Sequence, residues 1–181
     1  GDGFSCQANM MWKSTVWGCM AEAFVSTEGA LSKRMMAALF AAESERGDIR
    51  GKQSARILVV DSEIMQYPWE GKIVDISVDD SSDPLEELDR LLKMHNEYVN
   101  INILDAESIS QTKRTANPEI AFWKSIGLVQ SGRINEAREL AMIAFEENSG
   151  WKELLLRCAN NGLAGVTDET ISALLHVNQD D

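Results

Sequence analysis

Positive charge is what this 181-residue sequence is short of: 17 Lys+Arg stand against 29 Asp+Glu, a net charge of −12. A protein that neutralises phosphates needs a basic face, so this balance argues against nucleic acid as a partner and against anionic lipid surfaces. Cysteine is scarce. Cys6, Cys19 and Cys158 are odd in number and lack metal-ligand spacing, so neither a disulfide framework nor a metal site is expected. Buried thiols acting as small apolar residues lean towards a reducing compartment. His95 and His176 lie far apart without ligand spacing, and both are expected at the surface or at helix ends. The longest aliphatic run, Ile57 to Val60, falls far short of the roughly 20 residues of a membrane span. No signal peptide is visible, and the chain opens at Gly1 as a processed or shortened product does. The cytoplasm is the first expectation, with the periplasm or secretion open if an upstream signal was removed. No cofactor is called for. What is present is an ordinary globular composition, 44% hydrophobic and 25% charged, in a length that suits one core plus a small appendage.

The apolar spacing sets the expected elements. Phe4 to Met11 reads as a strand. Val16, Met20, Ala23 and Phe24 recur at helical spacing, as do Leu31, Met35, Ala38, Leu39 and Ala42, with a break at Gly29. Gly47 to Gly51 reads as a loop. Ile57 to Val60 is too short and too continuous for a helix and predicts a buried central strand. Ser62 to Gly71, with Pro68, is a connection. Val74, Ile76 and Val78 alternate with Asp75, Ser77 and Asp79, which predicts a half-buried strand antiparallel to the previous one. Asp83-Pro84 with Glu86 is a cap-then-proline helix start, followed by the stripe Leu85, Leu88, Leu91 and Leu92.

Residues 1–98 are expected to form one domain, 99–115 a polar linker around an apolar turn at Ile101 to Leu104, and 116–181 a small all-helical domain. Asn117-Pro118-Glu119 repeats the capped start. Gly132-Arg133 with Glu136-Ala137 sits between two amphipathic helices, as in half of a tetratricopeptide-type unit. One such hairpin cannot bury its own apolar face, so it is expected to dock on the preceding domain or on a partner. Trp123 and Trp151 read as its apolar anchors, with a sugar-stacking platform as the alternative.

Three segments carry a resemblance. Gly3-Phe4-Ser5-Cys6-Gln7-Ala8-Asn9-Met10-Met11 is similar to a glycine, a short strand and Gln-Gly-Asn-Met-Leu. Gly47-Asp48-Ile49-Arg50-Gly51-Lys52-Gln53-Ser54-Ala55 is similar to Gly-Asp-x-Arg-Gly-Arg-Gln-Ser-Ala, the most specific of the three. Val74 to Asp80 with Asp83-Pro84 is similar to Val-Asp-Leu-Arg-Val-Asp-Asp-His and Asp-Pro. In order and spacing these resemble an uncharacterised N-terminal-nucleophile (Ntn) hydrolase-like family, the domain of unknown function ten-twenty-eight. Residues 117–176 resemble the helical module often appended to it and labelled peptidoglycan-binding. Ala8, Ser77 and Ser81 depart from the family's Gly, Arg and His, so no role of that Arg or His carries over.

The resemblance implies an α/β (α+β) fold: part of an Ntn-type αββα sandwich, then the helical domain. It also implies an amide-bond hydrolase of unknown substrate whose nucleophile lies upstream, since Gly1 has no nucleophilic side chain. A missing N-terminal segment, a second chain or a homo-oligomer is then the expected partner. The alternative is a non-enzymatic binding or scaffold protein whose helical domain recognises a peptide, a glycan or a partner subunit.

Ntn chemistry pairs a hydroxyl or thiol with its own free amine and needs donors where negative charge develops. Gln7 and Asn9 are candidate donors, although an Asn at a strand end commonly satisfies a turn. Asp48, Arg50, Gln53 and Ser54 are the candidate site lining, with Arg50 suited to clamp a carboxylate. The competing reading is that Asp48 and Arg50 pair and staple the loop, and the two readings are compatible. Asp79 and Asp80 point to opposite faces of a strand and are expected to mark its end, with Asp83 as a cap. Cys6 is expected to pack in a core, not to attack a substrate.

Overall fold

The computed structural model describes residues 3–63, 65–67 and 69–175. Gly1, Pro68 and His176 lie outside them. The described residues form eight helices and one two-stranded antiparallel sheet, a mixed α/β and helix-rich fold. They fall into two compact units, Gly1–Met94 and His95–Asp181.

In the first unit, helices α1 (Val16–Ser26) and α2 (Leu31–Ser44) precede strands β1 (Ala55–Val60) and β2 (Lys72–Val78). Helix α3 (Pro84–Val99) follows and runs across the division. The strands pair antiparallel, as the alternation predicted, with Ile57 opposite Ile76 and Leu58 opposite Asp75. Ile57, Val59, Val74 and Val78 are buried together with Met36 of α2 and Leu88 and Leu92 of α3. Each fully buried side chain of this size contributes about 1.5–3 kcal/mol.

Two expectations need correction here. β1 is not buried on both faces: Leu58 and Val60 are 44% and 58% exposed. Successive side chains of a strand point to opposite faces, and helices cover only one face of this ribbon. Nor is Phe4 to Met11 a strand. Only Met11 pairs, in an isolated bridge to Asp48. Met10 has φ +51°, which turns the backbone out of an extended path and stops any ladder from growing through it.

The second unit holds α4 (Ala106–Thr115), α5 (Pro118–Gln130), α6 (Ile134–Glu147), α7 (Gly150–Asn160) and α8 (Asp168–Leu175). The stretch expected as a linker thus contains α4. Asp105 caps it, its carboxylate accepting from the Ser108 amide at 2.7 Å, and Ile109 and Thr112 are buried. The proline start of α5 forms as predicted, with Asn117 accepting from the Glu119 and Ile120 amides at 3.1 and 3.2 Å.

The α5–α6 hairpin buries apolar side chains within its own unit. Phe122, Ile126, Leu128, Leu140 and Ala144 share one cluster with Ile109 of α4, Leu155 and Cys158 of α7 and Leu174 of α8. Trp123 and Trp151 are half-buried anchors, with ring centroids 4.9 and 5.1 Å from that of Phe122. No helix among the described residues is long and apolar enough to cross a membrane.

Candidate functional site

The Gly47–Ser54 loop is placed by backbone bonds at both of its ends. Helix α2 stops where Arg46 and Gly47 take φ +77° and +55°, and the Gly47 amide folds back to the Ala42 carbonyl at 3.1 Å. The N-terminal stretch then grips the loop: the Trp12 amide donates to Gly47 and the Ile49 amide donates to Met10, at 3.1 and 2.9 Å. The Arg46 guanidinium lies 4.4 Å over the Trp12 ring, adding a cation–π contact to the same junction. At the far end the Ser81 amide donates to the Gln53 carbonyl at 2.9 Å.

Gly47 serves a second purpose. A Cβ there would meet the Glu43 carboxylate at 2.7 Å. That carboxylate is the ion-pair partner of Lys52, at 3.2 Å. Any larger residue would therefore push Glu43 away from Lys52 as well as strain the backbone.

These constraints shape a cleft of about 610 Å³. Of the residues singled out from the sequence, Asp48, Arg50, Gln53 and Ser54 all line it, beside Glu43, Lys52 and Asp80. Gln7 and Asn9 do not. They are exposed and line a separate shallow recess with Ala8 and Met11. The cleft thus carries both signs of charge, and Asp48, Arg50, Glu43 and Lys52 are paired within it. Asp48 accepts from the Arg50 backbone amide at 2.8 Å and from its guanidinium at 2.9 and 2.6 Å. Those hydrogen bonds, the side-chain ones foremost, hold the Asp48 carboxyl at about 2, well below the usual carboxylate range, and raise Arg50 in turn. The Asp48–Arg50 staple forms, and it lies in the wall of the cleft. The Arg50 side chain remains 66% exposed.

Lys52 was not singled out from the sequence. It reaches Glu43 and, at 3.4 Å, Asp83, and the Glu43 hydrogen bond chiefly raises its affinity for a proton. The signal available was its place inside the most specific segment. Asp79 and Asp80 lie beyond the end of β2, exposed, and among the described residues no group of three or more His, Cys, Asp or Glu is arranged to hold a metal ion. Cys6 is half-buried and free, among apolar side chains.

Away from the cleft, Lys124 of α5 is 2% exposed. Its ammonium donates to the Ser108 hydroxyl and, at 3.5 Å, to the Ser108 carbonyl. Burial lowers its affinity for a proton, and the nearby Glu97 and Asp105 partly restore it. A lysine on an amphipathic helix gives no sequence signal of burial.

Residues 1–88 match the family described as "Family of unknown function (DUF1028)". The match covers just under half of the chain and ends inside α3. No curated protein and no solved structure matches the chain.

Proposed function

We propose that the first unit is the substrate-holding part of an Ntn-type amide-bond hydrolase, belonging to an αββα sandwich, and that its cleft receives a small polar amide bearing charges of both signs. One observation carries the reading: the segment that most resembles the Ntn-like family, Gly47 to Ala55, supplies one wall of the cleft, with Asp48, Arg50 and Lys52 in it. Acidic and basic groups side by side suit a zwitterionic ligand such as a dipeptide or an amino-acid amide, whose carboxylate Arg50 can take bidentately. The cleft's role in this reading is binding and orientation. The nucleophile comes from another segment or from a partner chain.

The test is a panel of dipeptides and amino-acid amides offered to the product of the complete gene, with release of the free amine as the readout. Turnover that loses its affinity for substrate in Arg50→Ala supports the reading. Absence of turnover across the panel, with no dipeptide binding by calorimetry, discards it.

A second reading is favoured by a recess of about 420 Å³ in the second unit, lined by Ile101, Trp123, Gln130 and Ala164. There the helical domain recognises a peptide or a glycan, with the half-buried Trp123 as the stacking surface. Quenching of indole fluorescence by a muropeptide, lost in Trp123→Phe, supports it. Unchanged fluorescence at millimolar muropeptide removes it.

A further inference from the structure

The ions that line the cleft do not cancel. Asp48 pairs with Arg50 and Glu43 with Lys52, at 2.6 and 3.2 Å. Asp80 is left over. It is an exposed part of the lining, and among the described residues its carboxylate has no hydrogen bond and no ion pair. Lys52 is already shared with Asp83, at 3.4 Å. The lining therefore carries an uncompensated negative charge. The two helix ends in it lean the same way. The last turn of α2, at Ala42 and Glu43, has no basic residue against the negative end of its dipole. The first turn of α3, at Pro84 and Leu85, has Glu86 and Glu87 against its positive end. A cationic group is the complement of such a wall.

The end of the ribbon fixes where Asp80 stands. The β1–β2 pairing stops at Ala55 opposite Val78, and the Ser81 amide, donating to the Gln53 carbonyl at 2.9 Å, holds the two chains together beyond it. That bond sets Asp80 beside Gln53. Gln53 and Ser54 also line the cleft, and among the described residues neither side chain has a hydrogen-bond partner. A carboxylate that only accepts thus stands with a side-chain amide and a hydroxyl that both donate and accept. An ammonium next to an amide group matches that set.

We propose that Asp80 sets the specificity of the cleft by binding a free α-ammonium, with Gln53 and Ser54 hydrogen-bonding the neighbouring amide, so that the substrates are amides whose amino end is unblocked. The reaction itself rests on the hydrolase reading above, whereas the ligand preference is read by binding alone.

Alaninamide, N-acetylalaninamide and alanylalanine titrated into the 181-residue chain, followed by NMR, test it. Alaninamide binds about tenfold more tightly than its acetylated form, because acetylation removes the charge-assisted contact. Asp80→Asn erases that difference by weakening alaninamide alone. Asp79→Asn, at an exposed carboxylate outside the lining, changes neither. Raising the pH through about 8, where α-amino groups lose their proton, weakens alaninamide in the parent chain and not in Asp80→Asn. Equal binding of the two amides, or unchanged affinity for alaninamide in Asp80→Asn, overturns the proposal and leaves the hydrolase reading standing. No binding of any of the three overturns the proposal too, and the turnover panel then decides the hydrolase reading.

Discussion

Among the described residues, the second unit buries fourteen apolar side chains in one cluster, and the largest cluster of the first has seven. The first unit also keeps Trp12, Trp17, Leu58, Val60 and Trp69 at its surface, between 44% and 66% exposed. The difference comes from the shapes that have to be covered. A helix presents one stripe, and α4, α7 and α8 close over the hairpin of α5 and α6. A two-stranded ribbon has two faces, and α2 and α3 cover one. On its open face the ribbon relies on Arg56, Lys72 and Asp75, an exposed ion cluster of the kind that adds little stability. The unit with the weaker core holds the cleft of about 610 Å³, and the second unit has the smaller recess of about 420 Å³. An open concavity requires side chains that are not packed against each other, which lowers local stability.

Breaking this contrast starts in the stronger core. Phe122→Ala removes a fully buried ring and is expected to cost about 3–5 kcal/mol in the denaturant transition of the second unit. Trp123 and Trp151 stand beside that ring and report the transition by fluorescence. A loss below about 1 kcal/mol would mean that the core collapses to refill the space, which close packing argues against. Next, Asp105→Ala deletes the α4 cap. It should cost about 0.5–2 kcal/mol and speed amide exchange in the first turn of α4. Unchanged exchange would show that Ile109 alone holds the helix.

In the first unit, Leu58→Ser on the open ribbon face should change stability by no more than about 0.5 kcal/mol, read by urea denaturation. A loss of about 2 kcal/mol or more, the size of a core deletion, would mean that this face is covered in solution. The smallest effect is at Asp48. Its carboxyl is held at about 2 in the folded chain, against about 3.9 when unfolded. The pair with Arg50 therefore contributes in full above the unfolded value, and its contribution is lost as pH falls through about 2. An NMR titration of the Asp48 carboxyl should give the low midpoint. A midpoint near 3.9 would dissolve the staple.

Some of this was legible in the residues and some was not. β2 was, because Val74, Ile76 and Val78 alternate with polar residues and one face is buried. β1 was read as buried on both sides because four consecutive aliphatics carry no period, and nothing in them says how many strands or layers surround them. Helix α4 was missed because Ser108, Ser110, Gln111, Thr112 and Thr115 bond readily to backbone and weaken a helical signal. Asp105 before it and Lys113-Arg114 in its last turn were the marks to weigh. Within the candidate site, the short spacing of Asp48 and Arg50 allowed their pairing to be anticipated. The meeting of Lys52 with Glu43 and Asp83 depends on how α2 and the start of α3 are brought together, which local pattern does not encode. Gln7 and Asn9 sit apart from the cleft for a related reason: the turn at Met10 redirects the chain before Met11 and Trp12 reach the loop.

The Lys124 amine has a consequence for chemical labelling. Acylating reagents modify lysines that water can reach, and Lys124 is shielded beneath Ser108 and the first turn of α4. Its acylation therefore has to wait for α4 to lift from α5, so the rate at which Lys124 acquires a mass tag times that opening. Surface amines such as Lys93, with a side chain 64% exposed, tag without delay and supply the reference within the same spectrum.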